Sequence, residues 1–104
     1  MKKFVLLYNG GSMPETEAEG AKIMKAWEAW YTSLGKSVVD AGNPFSPVAE
    51  ICNDGSSNGA PESTTTGYTI LSAESKEHVV KMAKDCPVLL SGSDITIFET
   101  MDMS

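Results

Sequence analysis

The stretch Phe4-Val5-Leu6-Leu7-Tyr8 decides the fold of this 104-residue chain. All five side chains are apolar or aromatic, so a strand built from them presents such groups on both of its faces. The last apolar run, Ile95-Thr96-Ile97-Phe98, also lacks a clean alternation of apolar and polar residues. A sheet that contains these two strands therefore has no face that is suited to water.

The apolar segments outside this stretch follow the order β-α-β-β-α-β. A long helical stretch follows the first strand. Paired short strands are predicted in the region of residues 42–52, where residues 48–52 are a strand candidate. A strand covers residues 67–72, and a short helix precedes the last strand at residues 95–101. This order predicts an α+β, ferredoxin-like sheet with two helices on one face. We expect a second copy of the chain to cover the other face, which predicts a homodimer.

The first helix is predicted to begin near Thr16. Thr16 and Glu19 have the spacing of a capping box, in which a hydroxyl and a carboxylate each accept from a backbone N–H at the helix start. An apolar stripe at helical spacing follows, runs from Gly20 to Val38 and includes two tryptophans, which predicts that the helix extends to Val38. We expect these aromatic residues to belong to the core, with Trp27 as an anchor. The alternative for Trp30, at the edge of the stripe, is that it lines a ligand cavity.

Residues 53–66 form the least apolar segment of the chain. They are almost all small or polar and include Asn-Asp-Gly and Ser-Asn-Gly. Such a segment cannot bury enough apolar surface to fix its own conformation. We therefore predict a flexible loop within a single domain that spans residues 1–104.

Composition argues against several kinds of partner. The net charge is −6 and all eight basic residues are lysines, so no guanidinium is present to bind phosphates or bases, and no nucleic-acid partner is expected. The first apolar run is too short for a membrane span or a secretion signal, so we expect a cytoplasmic protein without membrane contact. Cys52 and Cys86 lie far apart and lack zinc-ligand spacing, which predicts reduced thiols, no metal and no cofactor.

Several short motifs, each weak alone, occur in the same order as in a known family. They are LLY at residues 6–8, AWEAW at 26–30, VDAGNPF at 39–45, GYTI at 67–70, CP at 86–87 and ITIFE at 95–99. Together they span nearly the whole chain and resemble the YCII-related (DGPF-type) family. The resemblance implies a ferredoxin-like subunit that pairs into a dimeric α/β barrel, with a pocket between the two sheets.

The resemblance also bears on catalysis. Some members of the family use a histidine on the first helix together with an aspartate just before the Gly-Pro turn. Here the first helix has no histidine, Lys25 lies near that place, and only Asp40 matches the second position. Close relatives often carry His where Cys86 stands and Glu where Thr96 stands. We therefore expect no chemistry that depends on a His–Asp pair.

Six residues are candidates for a ligand pocket. If the end of the first strand meets the Gly-Pro turn, Tyr8, Asp40 and Asn43 would supply a phenol, a carboxylate and an amide. The alternative is that Asp40 and Asn43 bond the backbone of their own turn. Glu99, in the last strand, either points into an apolar space or reaches water at the strand end. The candidates are Tyr8, Trp30, Asp40, Asn43, Tyr68 and Glu99.

The sequence leaves more than one function open. The first is a small-molecule-binding dimeric α/β barrel with weak or unknown enzymatic activity. The alternative is a non-catalytic regulatory or protein-interaction module with transcription-related partners, and a cofactor-free oxygenase is a third interpretation. A cavity with buried polar groups favours the first, whereas a filled core beside a bare outer patch favours the second. His78, the single histidine, lacks an orienting partner in the sequence and is expected at the surface.

Overall fold

The computed structural model describes residues 1–102. It contains two α-helices, α1 (Glu17–Leu34) and α2 (Lys76–Ala83). Its strands are β1 (Lys2–Gly10), β2 (Val38–Asp40), β3 (Glu50–Ile51), β4 (Ser57–Asn58), β5 (Thr65–Ala73) and β6 (Ser93–Glu99). Four of them form an antiparallel sheet in the order β2-β5-β1-β6. With its two helices this is the α+β, ferredoxin-like arrangement that the sequence predicts.

Local capping sets the start of both helices. At α1, the Thr16 hydroxyl accepts a hydrogen bond from the backbone N–H of Glu19 at 3.1 Å, and the Glu19 carboxylate accepts from the N–H of Glu15 at 3.1 Å. At α2, the Ser75 hydroxyl accepts from the N–H of His78 at 3.1 Å. These bonds satisfy donors that a helix start leaves without a partner. Neither helix of the described chain combines the length and the apolar character needed to cross a membrane.

The hydrophobic core lies between the helices and one face of the sheet. Phe4 and Leu6 on β1 and Leu71 on β5 point toward the helices, and Trp30 and Val79 pack onto them from α1 and α2. Each of the five is at most 4% exposed. Burial of a large apolar side chain contributes about 1.5–3 kcal/mol. This layer therefore holds the helices on the sheet.

The chain's own helices leave the opposite face of the sheet uncovered. Ile70, Val5 and Phe98 lie side by side on that face, in register across β5, β1 and β6. Val5 and Ile70 are half-buried, and Phe98 is 51% exposed. We call these three residues the apolar row. As the sequence predicts, β1 carries apolar side chains on both faces, with Phe4 and Leu6 toward the helices and Val5 on the uncovered face.

The second strand of the main sheet lies earlier in the chain than the sequence predicts. We expected paired strands within residues 42–52, but β2 is Val38–Asp40 and pairs with β5. Gly35, with φ at +54°, ends α1 before the apolar stripe runs out. Glycine adopts such a backbone angle at little cost. Val38 is therefore free to enter the sheet instead of continuing the helix.

The segment predicted as a strand at residues 48–52 contributes β3 instead. In the described chain β3 pairs with β4 and not with the main sheet, so the two form a separate hairpin. The predicted loop 53–66 thus contains β4 and the first two residues of β5. Residues 53–64 are all exposed. The flexibility of this segment stays a prediction.

Candidate functional site

A cavity of about 560 Å³ lies at one end of the sheet, under the part of α1 from Ile23 to Tyr31. Because the sheet is antiparallel, β1 and β2 end at this point and β5 and β6 begin there. Three connections therefore form the walls: the loop after β1, the turn after β2 and the segment before β6. Prominent lining residues are Tyr8, Ile23, Trp27, Tyr31, Asn43 and Tyr68.

Two glycines make room for this cavity and its wall. Gly42 has φ at +80°, and a Cβ at this position would collide with the carbonyl oxygen of Tyr68. Only glycine allows the turn after β2 to approach β5 so closely. Gly67 is buried opposite Tyr8, and a Cβ there would lie 3.3 Å from the Asn43 carbonyl oxygen and 3.6 Å from the Tyr8 ring. The missing side chain of Gly67 leaves that space open.

Aromatic rings form the floor and one side of the cavity. The ring of Trp27 meets the ring of Tyr8 edge to face, with centroids 5.8 Å apart. Trp27 also contacts Tyr31 at a centroid distance of 5.5 Å. Each such aromatic pair adds about 0.5–1.5 kcal/mol beyond the area that it buries. The rings support one another and present a rigid apolar surface to a ligand.

A buried hydrogen-bond network lies behind the floor. The Tyr8 hydroxyl donates to Thr69 Oγ1 at 2.6 Å, and that hydroxyl in turn donates to the carbonyl oxygen of Ala41 at 3.0 Å. The Tyr31 hydroxyl donates to the same carbonyl at 3.1 Å, and the Cys86 thiol donates to the Tyr8 oxygen at 3.7 Å. The network links the turn after β2 to the sheet, to α1 through Tyr31 and to the segment after α2 through Cys86.

The titratable groups of this network stay neutral at physiological pH. Burial raises the pKa of the Tyr8 phenol well above its usual value of 10.0, and burial also raises the pKa of Tyr31. Burial raises the pKa of the Cys86 thiol above 9.0. Desolvation has this effect because it disfavours the charged form of a phenol or thiol. These groups therefore act as hydrogen-bond donors and not as bases.

Asp40 fixes the wall of the cavity. One carboxylate oxygen accepts from the backbone N–H of Gly42 at 2.8 Å, and the other accepts from the Tyr68 hydroxyl at 3.0 Å. The hydrogen bond to Asp40 raises the pKa of Tyr68. The Tyr68 ring stacks on Phe45 with centroids 5.9 Å apart. Asp40 thus bonds its own turn, as one of the two sequence interpretations had it. It also bonds Tyr68, whose side chain shares the uncovered face of the sheet with Ile70, two residues further along β5.

The structure brings some of the six candidate residues together and separates others. Tyr8, Asn43 and Tyr68 line the cavity, and Asp40 bonds to its wall. Trp30 lies elsewhere: it is 4% exposed, and its indole N–H donates to the carbonyl oxygen of Met82 at 3.0 Å. Trp30 is therefore a core residue, as the main interpretation of the stripe had it, and not a cavity residue. Trp27 packs against the core and also lines the cavity.

Glu99 does not reach this cavity. It pairs with Phe4, at the start of β1, whereas the cavity lies at the end of β1. Its carboxylate is 3.9 Å from the ammonium of Lys2, and both side chains are about half exposed. This is the arrangement of a carboxylate that reaches water at a strand end.

Several lining residues were not among the sequence candidates. Ile23 and Met24 belong to the first half of α1, and residues 10–14 form the loop after β1. The Gly-Gly-Ser-Met-Pro composition of that loop signals a turn, but not the side to which it folds. His78 is half-buried on α2 and is not a lining residue. No lining residue of the described chain carries a charged side chain.

Metal binding is not indicated in the part of the chain that the structure describes. Within residues 1–102, no group of three or more His, Cys, Asp or Glu side chains is arranged to hold an ion. What the cavity offers is aromatic and aliphatic surface with neutral hydrogen-bonding groups. Such a site can bind and orient a small molecule.

One of the comparisons with known proteins supports the fold. No protein-family model matches the sequence, and no curated protein matches it. Among solved structures, the chain is similar to TftG, the 5-chloro-2-hydroxyhydroquinone dehydrochlorinase from Burkholderia phenoliruptrix AC1100, described in complex with 2,5-dihydroxybenzoquinone. The two sequences are 17% identical, and the structures superpose with a TM-score of 0.55 over 94% of this chain and 93% of that chain. The protein At3g17210 from Arabidopsis thaliana is 14% identical with a TM-score of 0.49, over 100% and 97% of the two chains. The likeness to TftG is one of fold.

Proposed function

We propose that this protein binds a small, uncharged aromatic molecule in the cavity under α1. The observation that carries the proposal is the cavity itself: about 560 Å³, lined by Tyr8, Trp27 and Tyr31, with no charged side chain among its described lining residues. This volume is typical of small-molecule sites, which are mostly apolar with a few placed polar groups. A charged ligand would lose its hydration here without gaining an opposite charge.

The structural likeness to TftG supports a ligand built on a single six-membered ring. That protein is described in complex with 2,5-dihydroxybenzoquinone, a small ring compound. The order of the sequence motifs supports membership of this chain in the YCII-related family, and we include that membership in the proposal. The cavity, with the Tyr8 network behind it, favours ligand binding over a regulatory or protein-interaction module.

We propose binding without proton transfer by a histidine. The described lining residues include neither histidine nor carboxylate, and the raised pKa values of Tyr8 and Cys86 keep both groups protonated at neutral pH. A general base needs a pKa near the working pH and hydrogen-bond reach to the proton that it abstracts. The chain's own groups therefore supply orientation and exclusion of water.

The proposal includes a homodimer formed through the uncovered face of the sheet. The apolar row of Val5, Ile70 and Phe98 would otherwise stay exposed to water. Pairing two such faces produces the barrel that the family resemblance implies. Light scattering at micromolar concentration should give twice the monomer mass. Phe98→Lys should lower that mass toward one chain, with Leu90→Lys, at an exposed position outside the sheet, as the control. A folded parent of monomer mass would contradict this part of the proposal.

Ligand binding is tested by filling the cavity. Toluene, phenol and benzaldehyde should each raise the melting temperature of the parent protein, because a ligand that binds only the folded state stabilises it. Ile23→Trp places a large ring in the cavity and should abolish the shift. Ala29→Trp adds the same ring at an exposed position of α1 outside the cavity and should keep it. Equal shifts in the two variants, or no shift in the parent, would reject the proposal.

A further inference from the structure

We infer that the cavity selects an aromatic ring that carries hydrogen-bonding oxygens at two opposite positions. This inference rests on the proposed function and defines its ligand class more closely. It follows from which polar groups of the cavity are unoccupied, where they lie across the sheet, and what lies between them.

Three polar side chains of the cavity have no hydrogen-bond partner within the described chain and can bond a ligand in place of water, since Asn43 and Ser12 are exposed and Ser91 is half-buried. Asn43, Ser12 and Ser91 line it, and within residues 1–102 none of these side chains has a hydrogen-bond partner. The other hydroxyls near them are already engaged. Ser93 donates to the carbonyl oxygen of Gly10 at 3.0 Å, and Thr66 donates to that of Tyr8 at 3.3 Å.

The free groups lie at the two edges of the sheet. Asn43 follows β2, which is one edge strand, whereas Ser91 precedes β6, which is the other. Ser12 belongs with Ser91, because its backbone N–H donates to the Ser91 carbonyl oxygen at 2.8 Å. Neighbouring strands are about 4.8 Å apart, so three intervals separate the two edges by roughly 14 Å. The cavity thus has one hydrogen-bonding end at Asn43 and another at Ser12 and Ser91.

In the middle of the cavity, the polar side chains of the described residues are already hydrogen-bonded. Its floor is the Tyr8 ring, whose hydroxyl is committed to Thr69, and its side is Trp27. A flat ring stacks well on such a surface. A span of roughly 14 Å accommodates the ring, its two oxygens and a hydrogen bond of about 2.8 Å at each end. The asparagine amide can donate or accept, and the serine hydroxyls can do either, so both hydroxyl and carbonyl oxygens fit.

The test compares three probes of the same shape: 1,4-dimethylbenzene, 4-methylphenol and 1,4-dihydroxybenzene, the last in oxygen-free buffer. Ligand-observed NMR titration gives the dissociation constant of each. We expect affinity for the parent to rise about three- to tenfold with each oxygen, the range expected for one net hydrogen bond. Asn43→Ala and Ser91→Ala should each lower the affinity for 1,4-dihydroxybenzene by about three- to tenfold. The affinity of both variants for 1,4-dimethylbenzene should equal that of the parent.

Asn58→Ala serves as the matched control, because Asn58 lies on the hairpin strand β4 and outside the cavity. It should bind all three probes as the parent does. Equal affinity of the parent for the three probes would overturn this inference but not the proposed function. Unchanged binding of 1,4-dihydroxybenzene by Asn43→Ala and Ser91→Ala would do the same. Failure of all three probes to bind the parent would overturn the proposed function together with the inference.

Discussion

At the scale of single residues, Tyr8 connects the parts of the molecule that form the site. Its hydroxyl bonds Thr69 on β5 and accepts from Cys86 beyond α2, and its ring meets Trp27 of α1. The side chain is only 5% exposed. A buried polar group that keeps its partners stabilises the fold, whereas one that loses them is costly. Tyr8 therefore fixes the floor of the cavity while contributing to the core.

Tyr8 should make the protein sensitive to alkaline pH. Because burial raises its pKa above the unfolded value of about 10, the stability that it contributes is fully present below about pH 10 and declines as the pH rises further. The decline is at most about 1.4 kcal/mol per pH unit for one group. Urea unfolding of the parent at increasing pH should show it, and Tyr8→Phe should show a weaker dependence. If the free energy of unfolding fell equally steeply with pH in both proteins, Tyr8 would not be the source of the alkaline sensitivity.

Trp30→Ala should destabilise the protein more than Trp27→Ala. Trp30 is in the core and holds a hydrogen bond to Met82, so its loss should cost about 3–5 kcal/mol. Trp27 is half-buried at the cavity, so Trp27→Ala should cost less and should weaken binding of phenol. Equilibrium urea unfolding and a phenol titration measure the two effects. The reverse order of stabilities would show that the helix faces are assigned incorrectly.

The sequence alone could not distinguish the roles of these two tryptophans. Both belong to one apolar stripe at helical spacing, and a stripe says which side of a helix is buried but not what lies opposite each residue. Trp30 meets the end of α2, whereas Trp27 meets the open end of the sheet. Those positions depend on strand order and loop paths, which are long-range features. Tyr8 and Asn43 were accessible to sequence reasoning because strand ends and Gly-Pro turns are local signals.

At the scale of elements, the turn after β2 decides the shape of the cavity. The Ala41 carbonyl accepts from both Thr69 and Tyr31, and Asp40 bonds both Gly42 and Tyr68. The turn is thereby anchored to β5 and to α1. It presents Asn43 to the cavity from a fixed position, which is what a binding group requires.

Asp40→Asn should weaken ligand binding more than Glu99→Gln. An asparagine oxygen can still accept from the Gly42 N–H, but its amide nitrogen then faces the Tyr68 hydroxyl. That contact must reverse its direction and loses the charge of the carboxylate, so the turn is held less firmly. Glu99 is at the far end of the sheet and serves as the matched control. We expect several-fold weaker binding of phenol for Asp40→Asn, by the value of one net hydrogen bond, and unchanged binding for Glu99→Gln. Equal loss in both would discard the role of Asp40.

The exposed segment of residues 53–64 should be cleaved first by a protease of broad specificity. All of these residues are exposed, and an isolated two-stranded hairpin such as β3–β4 is marginally stable in water. Limited proteolysis followed by mass spectrometry locates the cut. Strong protection of this segment would contradict the flexibility that its composition predicts and would show that another surface holds it.

Sequence reasoning succeeded for elements with strong local signals and failed where a single glycine changed the outcome. The Thr16 cap and the Ser75 cap fix the helix starts. The end of α1 at Gly35 was missed because the apolar stripe continues to Val38, so periodicity alone extends the helix. The ferredoxin-like class followed from the order of the elements, and the four-stranded antiparallel sheet agrees with it.

At the scale of the whole molecule, the chain has two distinct apolar features. One is the cavity under α1, and the other is the apolar row of Val5, Ile70 and Phe98 on the opposite face of the sheet. We assign the first to a small aromatic ligand and the second to a partner copy. Because Tyr68 lines the cavity and belongs to the strand that carries Ile70, the two features share β5.

Amide chemical-shift mapping tests the assignment of the cavity most directly. Phenol is titrated into the ¹⁵N-labelled protein, and the backbone amide shifts are followed residue by residue. We expect saturable shifts at Gly10, Gly11, Asn43 and Gly67, which line the cavity, and none at Glu99 beyond the far end of the sheet. Shifts concentrated on the apolar row instead, or no saturable shift at any concentration that keeps the protein folded, would contradict the proposal that the cavity is the binding site.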